Sequence, residues 1–594
     1  MLSIVTQIKT AAAQALNHLF PEAKVTDEHI QVNETKPEFA GDYTVVLFPF
    51  VKSLRQNPAV LGKALGEYLV AEYPLFTAHE TVAGFLNLTI ADHELVTFLN
   101  HFYSDKRFGR KESNGQKVMI EYSSPNTNKP IHFGHLRNNF LGWSVSEILK
   151  ASGSEVIKAN LVNDRGIHIC KSMIAWQRYA DGATPQSTGI KGDHLVGDYY
   201  VRFNDAYKEE VEVLVKEGMA KELAEKEAPI MKEAQEMLRQ WEAGDREIYG
   251  LWQKMNGWVY EGFDVTYKKL GIDFDKMYYE SDTYLLGKGI VEEGLQKGVL
   301  FKKDNGSVWV DLTADGLDEK LLLRADGTSV YMTQDLGTAR LKYNDFKMDK
   351  SAYVIADEQN YHMQVLKLIL QKLGEPCADG IFHLSYGMVE LPSGRMKSRE
   401  GTVVDADDMI EEMVTLAKEQ TQEAGKTEGF TPEELDNLYK IIGIGALKFY
   451  LLRVDPKKKM IFDPKESIDL HGFTATFIQY AHARICSILS KNEIAYGPLS
   501  IGKDPLFQLE KNLLLQIEQY PATIEQAAKE HNPSAICNYT FRLAQTFNSF
   551  YAQHSISQAE SEAKKQLRLM LAQMTANTLQ SAMALLGIEV PQKM

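Results

Sequence analysis

The sequence has little of several features that would mark common classes of protein. Its 594 residues contain four scattered cysteines and no C-x-x-C pair: Cys170, Cys377, Cys486 and Cys537. This scarcity argues against a disulfide framework and a structural zinc site, and it fits a reducing cytosol. The N-terminus lacks a basic start followed by an apolar core, and we find no uncharged apolar run long enough to cross a membrane. We therefore expect a cytoplasmic protein with no membrane partner and, by default, a monomer.

Positive charge is also in deficit. With 65 Lys and Arg against 80 Asp and Glu, the net charge is −15. This balance counts against nucleic-acid binding, because phosphate contacts need cationic side chains. A global sum can hide a local basic face, however, when an acidic insertion contributes heavily to it. Residues 207–247 are such an acidic segment of helical composition, and we interpret them as a solvated helix pair.

The order of hydrophobic patterns predicts three regions. Residues 1–110 mix helix-like and strand-like patterns, which predicts an α+β domain. Residues 111–425 predict a doubly wound, Rossmann-type parallel sheet, because the strand-like runs "KVMIEYSS", "SEVIKANLVND" and "SAYVIAD" are separated by helical patterns. A helical insertion interrupts this region at about 185–285. Residues 426–594 carry apolar residues at helical spacing and predict an all-α bundle.

The stretch "NKPIHFGHLRNNF" places two histidines where a predicted strand passes into a predicted helix. A helix N-terminus has unpaired N–H groups and favours phosphate, and ligands of parallel sheets bind at the carboxyl ends of the strands. His132 and His135 lie three residues apart, so they share one face of the first turn. Gly134 has no side chain, which leaves room for a flat adenine against the backbone. The pattern predicts a nucleotide site.

A second motif follows a strand predicted over residues 382–391. The stretch "LPSGRMKSREGTVV" has the composition of a loop and carries Arg395, Lys397 and Arg399. Basic residues on a loop suit a triphosphate whose charge distribution changes during reaction. Alone this is a weak signal, but it strengthens the first motif if both lie on one sheet.

Together the two motifs resemble the signatures of class I aminoacyl-tRNA synthetases. The stretch "EYSSPNTNKPIHFGHLRN" is similar, almost residue for residue, to the signature of arginyl-tRNA synthetases. Further similarity in "YMTQDLGTA", "YVIADEQNYH", "QYAHARICSIL" and "ALLGIEVPQKM" extends the resemblance over nearly the whole chain. It implies that residues 1–110 grip the tRNA elbow and that residues 426–594 bind the anticodon.

Two stretches depart from the family pattern. The usual "GDWG" reads "NDRG" at Asn163–Gly166, and the second signature reads R-M-K-S-R. Arginyl enzymes with a degenerate second signature tend to carry a lysine just before the first one. Lys129 fills that position, and we interpret it as a partial substitute for the missing loop lysine.

The resemblance implies roles for individual residues, which fall into four sets. The catalytic set is Lys129, His132, His135, Lys397 and Arg399. The ATP-binding set is Gly134, His362, Met388 and Arg395. The arginine-binding set is Glu121, Asn126, Tyr331, Asp335 and Gln359. The tRNA-binding set is Tyr480, His482 and Arg484.

The implied substrates fit the residue chemistry. A guanidinium is permanently charged and planar, and carboxylates such as Glu121 and Asp335 can accept it bidentately. Such a site would reject neutral amino acids by leaving a buried carboxylate unpaired. The expected partners are L-arginine, ATP and tRNA(Arg). Mg²⁺ is expected to accompany ATP, because no dedicated carboxylate cage for a metal is visible.

Three alternatives remain open at this point. Another enzyme of the class would need zinc-ligand cysteines for cysteine or basic pocket residues for glutamate, and the lysine enzyme is a further rival. A small-molecule nucleotidyltransferase could share H-x-G-H but would not need a helical domain of more than 100 residues. A non-catalytic RNA-binding relative would predict a damaged phosphate site, whereas both histidines and the glycine are intact.

Overall fold

The computed structural model describes residues 3–36, 38–392, 404–425, 427–495, 497–500 and 504–594. The N-terminal region is an antiparallel sheet in the order β1-β2-β4-β3, flanked by helices. Its elements are α1 (Ile4–Leu19), β1 (Val32–Glu34), β2 (Tyr43–Val46), α2 (Phe48–Ser53), α3 (Pro58–Glu72), β3 (Phe76–Val82), β4 (Phe85–Ile90) and α4 (Asp92–Phe102).

The central region is built on a five-stranded parallel sheet. Its first elements are β5 (Lys117–Glu121), α5 (Phe133–Ala151), β6 (Glu155–Val162), α6 (Ile167–Tyr179) and β7 (Lys276–Tyr279). The helical insertion between α6 and β7 comprises α7 (Pro185–Thr188), α8 (Gly192–Lys216), α9 (Lys221–Glu227), α10 (Pro229–Glu242) and α11 (Arg246–Leu270).

The second half of the central region returns to the same sheet. Its elements are α12 (Glu280–Thr283), α13 (Gly287–Gln296), β8 (Leu300–Lys302), β9 (Val308–Val310), β10 (Lys320–Leu323), α14 (Tyr331–Phe346), β11 (Lys350–Ala356), α15 (Asn360–Leu373), β12 (Ile381–Tyr386), β13 (Val389–Glu390) and α16 (Ala406–Glu423). Strands β8, β9 and β10 form a small antiparallel sheet.

The order of the parallel sheet places the site. It reads β12-β11-β5-β6-β7, so the chain winds outward from β5 in one direction and then returns to add β11 and β12 on the other side. The strand order therefore reverses between β5 and β11, and ligands of such sheets bind at the carboxyl ends of the strands beside that point. Residues Val118–Glu121 are all buried, as expected of a strand covered on both faces.

The strand predicted over residues 382–391 is divided in the structure. Strand β12 belongs to the main sheet, whereas β13 pairs with β14 (Met460–Ile461) of the C-terminal region. The division falls at Gly387, where an added Cβ would lie 2.7 Å from the backbone of Lys458. The prediction of one strand was wrong because this close approach diverts the chain to a second partner.

Apart from β14, the described elements of the C-terminal region are helices. Its helices are α17 (Pro432–Leu452), α18 (Pro464–Ser467), α19 (Ala475–Leu489), α20 (Gln508–Glu518), α21 (Tyr520–Glu530), α22 (Ser534–Gln553) and α23 (Glu562–Leu585). One continuous apolar core joins it to the N-terminal region and to α5 of the central sheet. Across the described ranges, no helix has the length and apolar character needed to span a bilayer.

Candidate active site

The chain leaves β5 through a strained turn. Ser123 and Ser124 adopt positive φ values of 76° and 45°, which are unusual for residues other than glycine. The backbone N–H of Ser123 donates to Asn138 Oδ1 at 2.6 Å, and that of Ser124 donates to Asn160 Oδ1 at 3.0 Å. Strain held by surrounding bonds in this way is typical of functional sites. Here it directs the signature loop over the carboxyl end of the sheet.

The two signature histidines cap α5. His132 is the N-cap residue, and its backbone N–H donates to Nδ1 of His135 at 3.2 Å. Because Nδ1 of His135 accepts this bond, its Nε2 carries the proton and can donate to a ligand. The ring centroids lie 3.9 Å apart. Among the described residues no group bonds to the buried Nδ1 of His132.

Burial keeps both imidazoles neutral. It lowers the pKa of His132 to about 3, with the nearby Lys129 charge adding to the effect. It also lowers the pKa of His135 well below its ordinary value, with His132 and Lys129 contributing. Burial lowers the pKa of Lys129 as well. A bound phosphate group would place a negative charge beside these three side chains and so favour their protonated forms.

Two predicted ATP residues lie in open positions around this helix start. An added Cβ on Gly134 would meet the ring of His132 at 3.0 Å and nothing else within 4 Å. Met388, between β12 and β13, is 37% exposed. Both positions leave room for a flat base.

The second motif is described only at its edges. Arg395, Lys397 and Arg399 lie outside the described residues, so their predicted roles stay predictions. Beyond the motif, the backbone N–H of Phe133 donates to Val404 O at 2.9 Å. The chain on its C-terminal side is therefore joined to the first turn of α5.

Three of the predicted arginine-binding residues lie on α14 and at the start of α15. Asp335, in the second turn of α14, pairs with His362 at 2.6 Å between Oδ2 and Nε2. Tyr331, at the start of the same helix, is 75% exposed. Gln359 is exposed at the start of α15. The structure thus places His362, predicted for ATP, against a predicted arginine-binding carboxylate.

Glu121, predicted for the arginine-binding set, ends the first strand of the sheet as expected. It is buried at the end of β5 and forms an ion pair with the fully buried Lys342 of α14. The ammonium group of Lys342 also lies 4.6 Å from the ring centroid of Tyr353. The prediction that Glu121 lies near the bound guanidinium stays a prediction, and its carboxylate is already paired with an internal cation.

A cleft of about 790 Å³ adjoins both ends of the site. It is lined by three of the predicted residues, Asn126, Lys129 and Tyr331. It also contains Glu280, which the sequence motifs do not indicate. Glu280 begins α12, directly after β7, and lies on the same side of the sheet as the other site residues. The position after a parallel strand was the one sequence signal that could have found it.

The carboxyl group of Glu280 is tuned by its surroundings. Burial raises its pKa to about 7, and the charges of Asp164 and Asp335 raise it further against the opposing effect of Arg165. No hydrogen bond from a described residue contributes to this pKa shift. It is therefore a half-buried carboxyl that gains from a cationic ligand.

The "NDRG" departure has a structural basis. Asp164 accepts hydrogen bonds from Ser281 N at 2.8 Å and Tyr260 Oη at 2.8 Å, so it joins the insertion to α12. The Arg165 guanidinium lies 3.9 Å from the ring centroid of Tyr284 and pairs with Glu242 at 2.5 Å. Arg165 thus occupies an aromatic and acidic wall of the cleft.

The predicted tRNA residues on α19 differ in exposure. His482 is 4% exposed and contacts the carbonyl of Pro591 through Nδ1 at 3.0 Å. The prediction that His482 contacts RNA needs correction, since an interior ring cannot reach a ligand. Tyr480 and Arg484 are half-buried, and Arg484 donates to Asn548 Oδ1 at 2.9 Å. Their RNA contacts stay predictions.

One group in the described ranges has the spacing of a metal site. It consists of His194, Asp405 and Asp407. However, Lys191 and Lys269 donate to Asp407 at 2.5 and 3.0 Å. The carboxylate is thus occupied by two ammonium groups, which would oppose a cation. This cluster is an ion-pair network.

Comparison with known proteins gives one consistent result. Residues 97–463 match the model for "tRNA synthetases class I (R), catalytic domain", so the sheet and the H-x-G-H site are those of a class I tRNA synthetase. Residues 6–90 match the "Arginyl tRNA synthetase N terminal domain" and residues 478–594 the "DALR anticodon binding domain". The chain belongs to the arginyl-tRNA synthetase family. The predicted boundaries at residues 110 and 425 stay predictions.

Individual relatives cover the full chain. It is 52% identical to an "Arginine--tRNA ligase" of Bacteroides thetaiotaomicron and 51% identical to one of Parabacteroides distasonis, with 100% of each chain covered. An arginyl-tRNA synthetase structure from Thermus thermophilus has a TM-score of 0.82 at 24% identity, covering 99% of both chains. The predicted family, fold class and assignment as an arginine–tRNA ligase are confirmed.

Proposed function

We propose that this chain activates L-arginine with ATP and transfers it to the 3′ end of tRNA(Arg), releasing pyrophosphate and AMP. The observation that carries the proposal is a cleft with two ends of opposite character. Lys129 and Glu280 line the cleft; the capped histidines lie beside Lys129, and Asp335 lies near Glu280. The Lys129 end suits a triphosphate, and the Glu280 end suits a guanidinium.

ATP would lie over the start of α5. His132 Nδ1 is buried without a partner in the described chain, and His135 has an N–H available at Nε2. The phosphates would meet these groups and Lys129, with adenine against Gly134 and Met388. Mg²⁺ would arrive with ATP, because in the His194 cluster the Asp407 carboxylate already binds two lysines.

Arginine would lie with its guanidinium toward Asp335 and Glu280. Tyr331 would cover it from the exposed rim, and Asn126 and Gln359 would hold the α-amino group. Glu121 would act indirectly, since its carboxylate pairs with Lys342 of α14, the helix that also carries Asp335 and Tyr331. His362 would share Asp335 with the substrate.

The reaction itself needs no side-chain nucleophile. The arginine carboxylate attacks the α-phosphorus and pyrophosphate leaves. The terminal ribose hydroxyl of tRNA then attacks the carbonyl carbon and AMP leaves. Catalysis would come from positioning and from stabilising phosphate charge. Lys129, His132 and His135 are the described groups that would do so.

The tRNA would meet the other two regions. Tyr480 and Arg484 remain our candidates on α19, where an aromatic ring and a guanidinium can stack on splayed bases. We also propose a cytoplasmic location and a monomeric state.

ATP–pyrophosphate exchange tests the function. Each standard amino acid is supplied in turn, with and without total tRNA. We expect exchange with arginine, appearing when tRNA is added. Exchange with another amino acid would keep the class but overturn the roles of Asp335 and Glu280. No exchange under any condition would point to a non-catalytic RNA-binding protein.

A further inference from the structure

We propose that the first two turns of α8, in the helical insertion, brace the ATP end of the cleft, with Asp407 as the positioning residue. The inference rests on the proposed function for the identity of the ATP end. It assigns a purpose to the start of α8; α11 of the insertion also contacts the signature stretch, with Tyr267 Oη and Ser123 Oγ 2.6 Å apart.

The first observation is the set of donors around Asp407. Its carboxylate accepts from Lys191 Nζ at 2.5 Å, just before α8, and from Lys269 Nζ at 3.0 Å on α11. Thr266 Oγ1 donates at 3.1 Å, and His194 Nε2 lies at 3.4 Å. All four side chains belong to the insertion. They therefore fix the start of α16 to it.

The second observation joins that start to the signature helix. Residues 404–406 pair with residues 131–133 through two backbone hydrogen bonds of 2.9 and 3.0 Å. Asp405 lies opposite His132 in this pairing and accepts from the backbone N–H of Asp407 at 2.7 Å. The backbone around His132 is thus connected to Lys191 and Lys269 of the insertion through residues 404–407.

The third observation is a direct contact made by α8. Gly197 lies in its second turn, and an added Cβ there would meet Pro130 Cδ at 2.8 Å and Lys129 Cα at 3.6 Å. The helix therefore passes close against the loop that carries Lys129. The same short piece of α8 touches both chain segments that flank His132.

These contacts predict which ligand depends on the brace. The groups that would hold the phosphates lie in the braced segments, whereas Asp335 and Glu280 lie on α14 and α12. A small displacement of the α5 start would misplace the phosphate donors and leave the guanidinium site in position. Misplacement by about 1 Å can cost about a hundredfold in rate.

A matched pair of glycine substitutions tests the contact. Gly197→Ala inserts a methyl group against Pro130, whereas Gly257→Ala on α11 meets nothing within 4 Å. We expect Gly197→Ala to raise the KM for ATP about tenfold in arginine-dependent exchange, with the KM for arginine changed less than about twofold. Gly257→Ala should leave both constants within about twofold.

Asp407 is tested with its own conservative variant. Asp407→Asn should raise the KM for ATP by about tenfold, and Asp407→Glu should recover part of the loss because it keeps the charge for both lysines. Thermal unfolding of each variant is measured alongside, to ensure that folded protein is compared.

Two results would overturn the brace. One is that Gly197→Ala matches Gly257→Ala in both constants. The other is that the constants for ATP and arginine rise together in Gly197→Ala and Asp407→Asn. Equilibrium binding of ATP to each variant gives a readout that does not need the ligase reaction. An inactive wild-type protein would therefore contradict the proposed function alone.

Discussion

Burial shifts the pKa of side chains at both ends of the cleft, and it disfavours a positive charge at one end and a negative charge at the other. At the ATP end, burial lowers the pKa of cationic or potentially cationic groups, as at Lys129 and His132. At the arginine end, burial raises the pKa of the Glu280 carboxyl. In both cases the free protein holds groups whose charged forms are disfavoured until a ligand of opposite charge arrives.

The ends differ in how much internal pairing they use. Asp335 already contacts His362, and Glu121 is paired with Lys342. By contrast, the pKa of Lys129 is shifted by burial alone. At the arginine end, the substrate guanidinium must therefore compete with internal cations for the carboxylates. At the ATP end, the protein has only to offer hydrogen-bond donors to the phosphates.

The largest effect is expected from Asp335→Asn. Removing one partner of a desolvated guanidinium–carboxylate pair costs about 3–5 kcal/mol, so arginine-dependent exchange should fall about a thousandfold. ATP binding measured by calorimetry should be unchanged. Asp345→Asn on the same helix is the control, since Asp345 bonds Tyr278 Oη at 2.9 Å. Equal losses in both variants would remove Asp335 from the site.

The next effect is expected from His135→Asn. An asparagine can still accept from the His132 backbone N–H, as Nδ1 does now, but it lacks the Nε2–H donor. Loss of one such donor costs about a hundredfold in kcat. Thermal stability should hold, whereas His135→Ala should lose both stability and rate. If His135→Asn retains full kcat, the imidazole serves only as a helix cap.

A smaller effect is expected from Lys129→Gln. A hydrogen bond from a charged group contributes about 1.5–3 kcal/mol, so the KM for ATP should rise about thirtyfold. Lys288 is an exposed lysine that lines the same cleft, and Lys288→Gln is the matched control. Similar changes in the two variants would indicate a general field effect. In that case Lys129 would not be a specific phosphate ligand.

The sequence predicts one end of this cleft better than the other. The ATP end is local, because Lys129, His132, Gly134 and His135 lie within seven residues and a helix start orients them. The arginine end is assembled from α12, α14 and α15, so its geometry depends on packing. Glu280 has no motif of its own, and it reaches the site only through the parallel order of β6 and β7.

What the sequence did not predict is the partner of each buried polar side chain. The repeated strand and helix patterns predicted the parallel sheet and the helical region, because periodicity reports which residues are buried. It does not report the partner of a buried polar group. Glu121 is paired with Lys342, and His482 is covered by the chain around Pro591, from segments more than 100 residues away.

The smallest expected effect is a pH dependence of the KM for arginine, which separates the two ends of the cleft. The Glu280 carboxyl has a pKa of about 7, and only its ionised form attracts a guanidinium. The KM for arginine should therefore be about tenfold higher at pH 6 than at pH 8, while the KM for ATP changes less. Glu280→Gln should flatten this dependence and keep the KM for arginine about tenfold high at pH 8. A pH profile that persists in Glu280→Gln would assign the titration to another group, and His362 beside Asp335 would be the next to test.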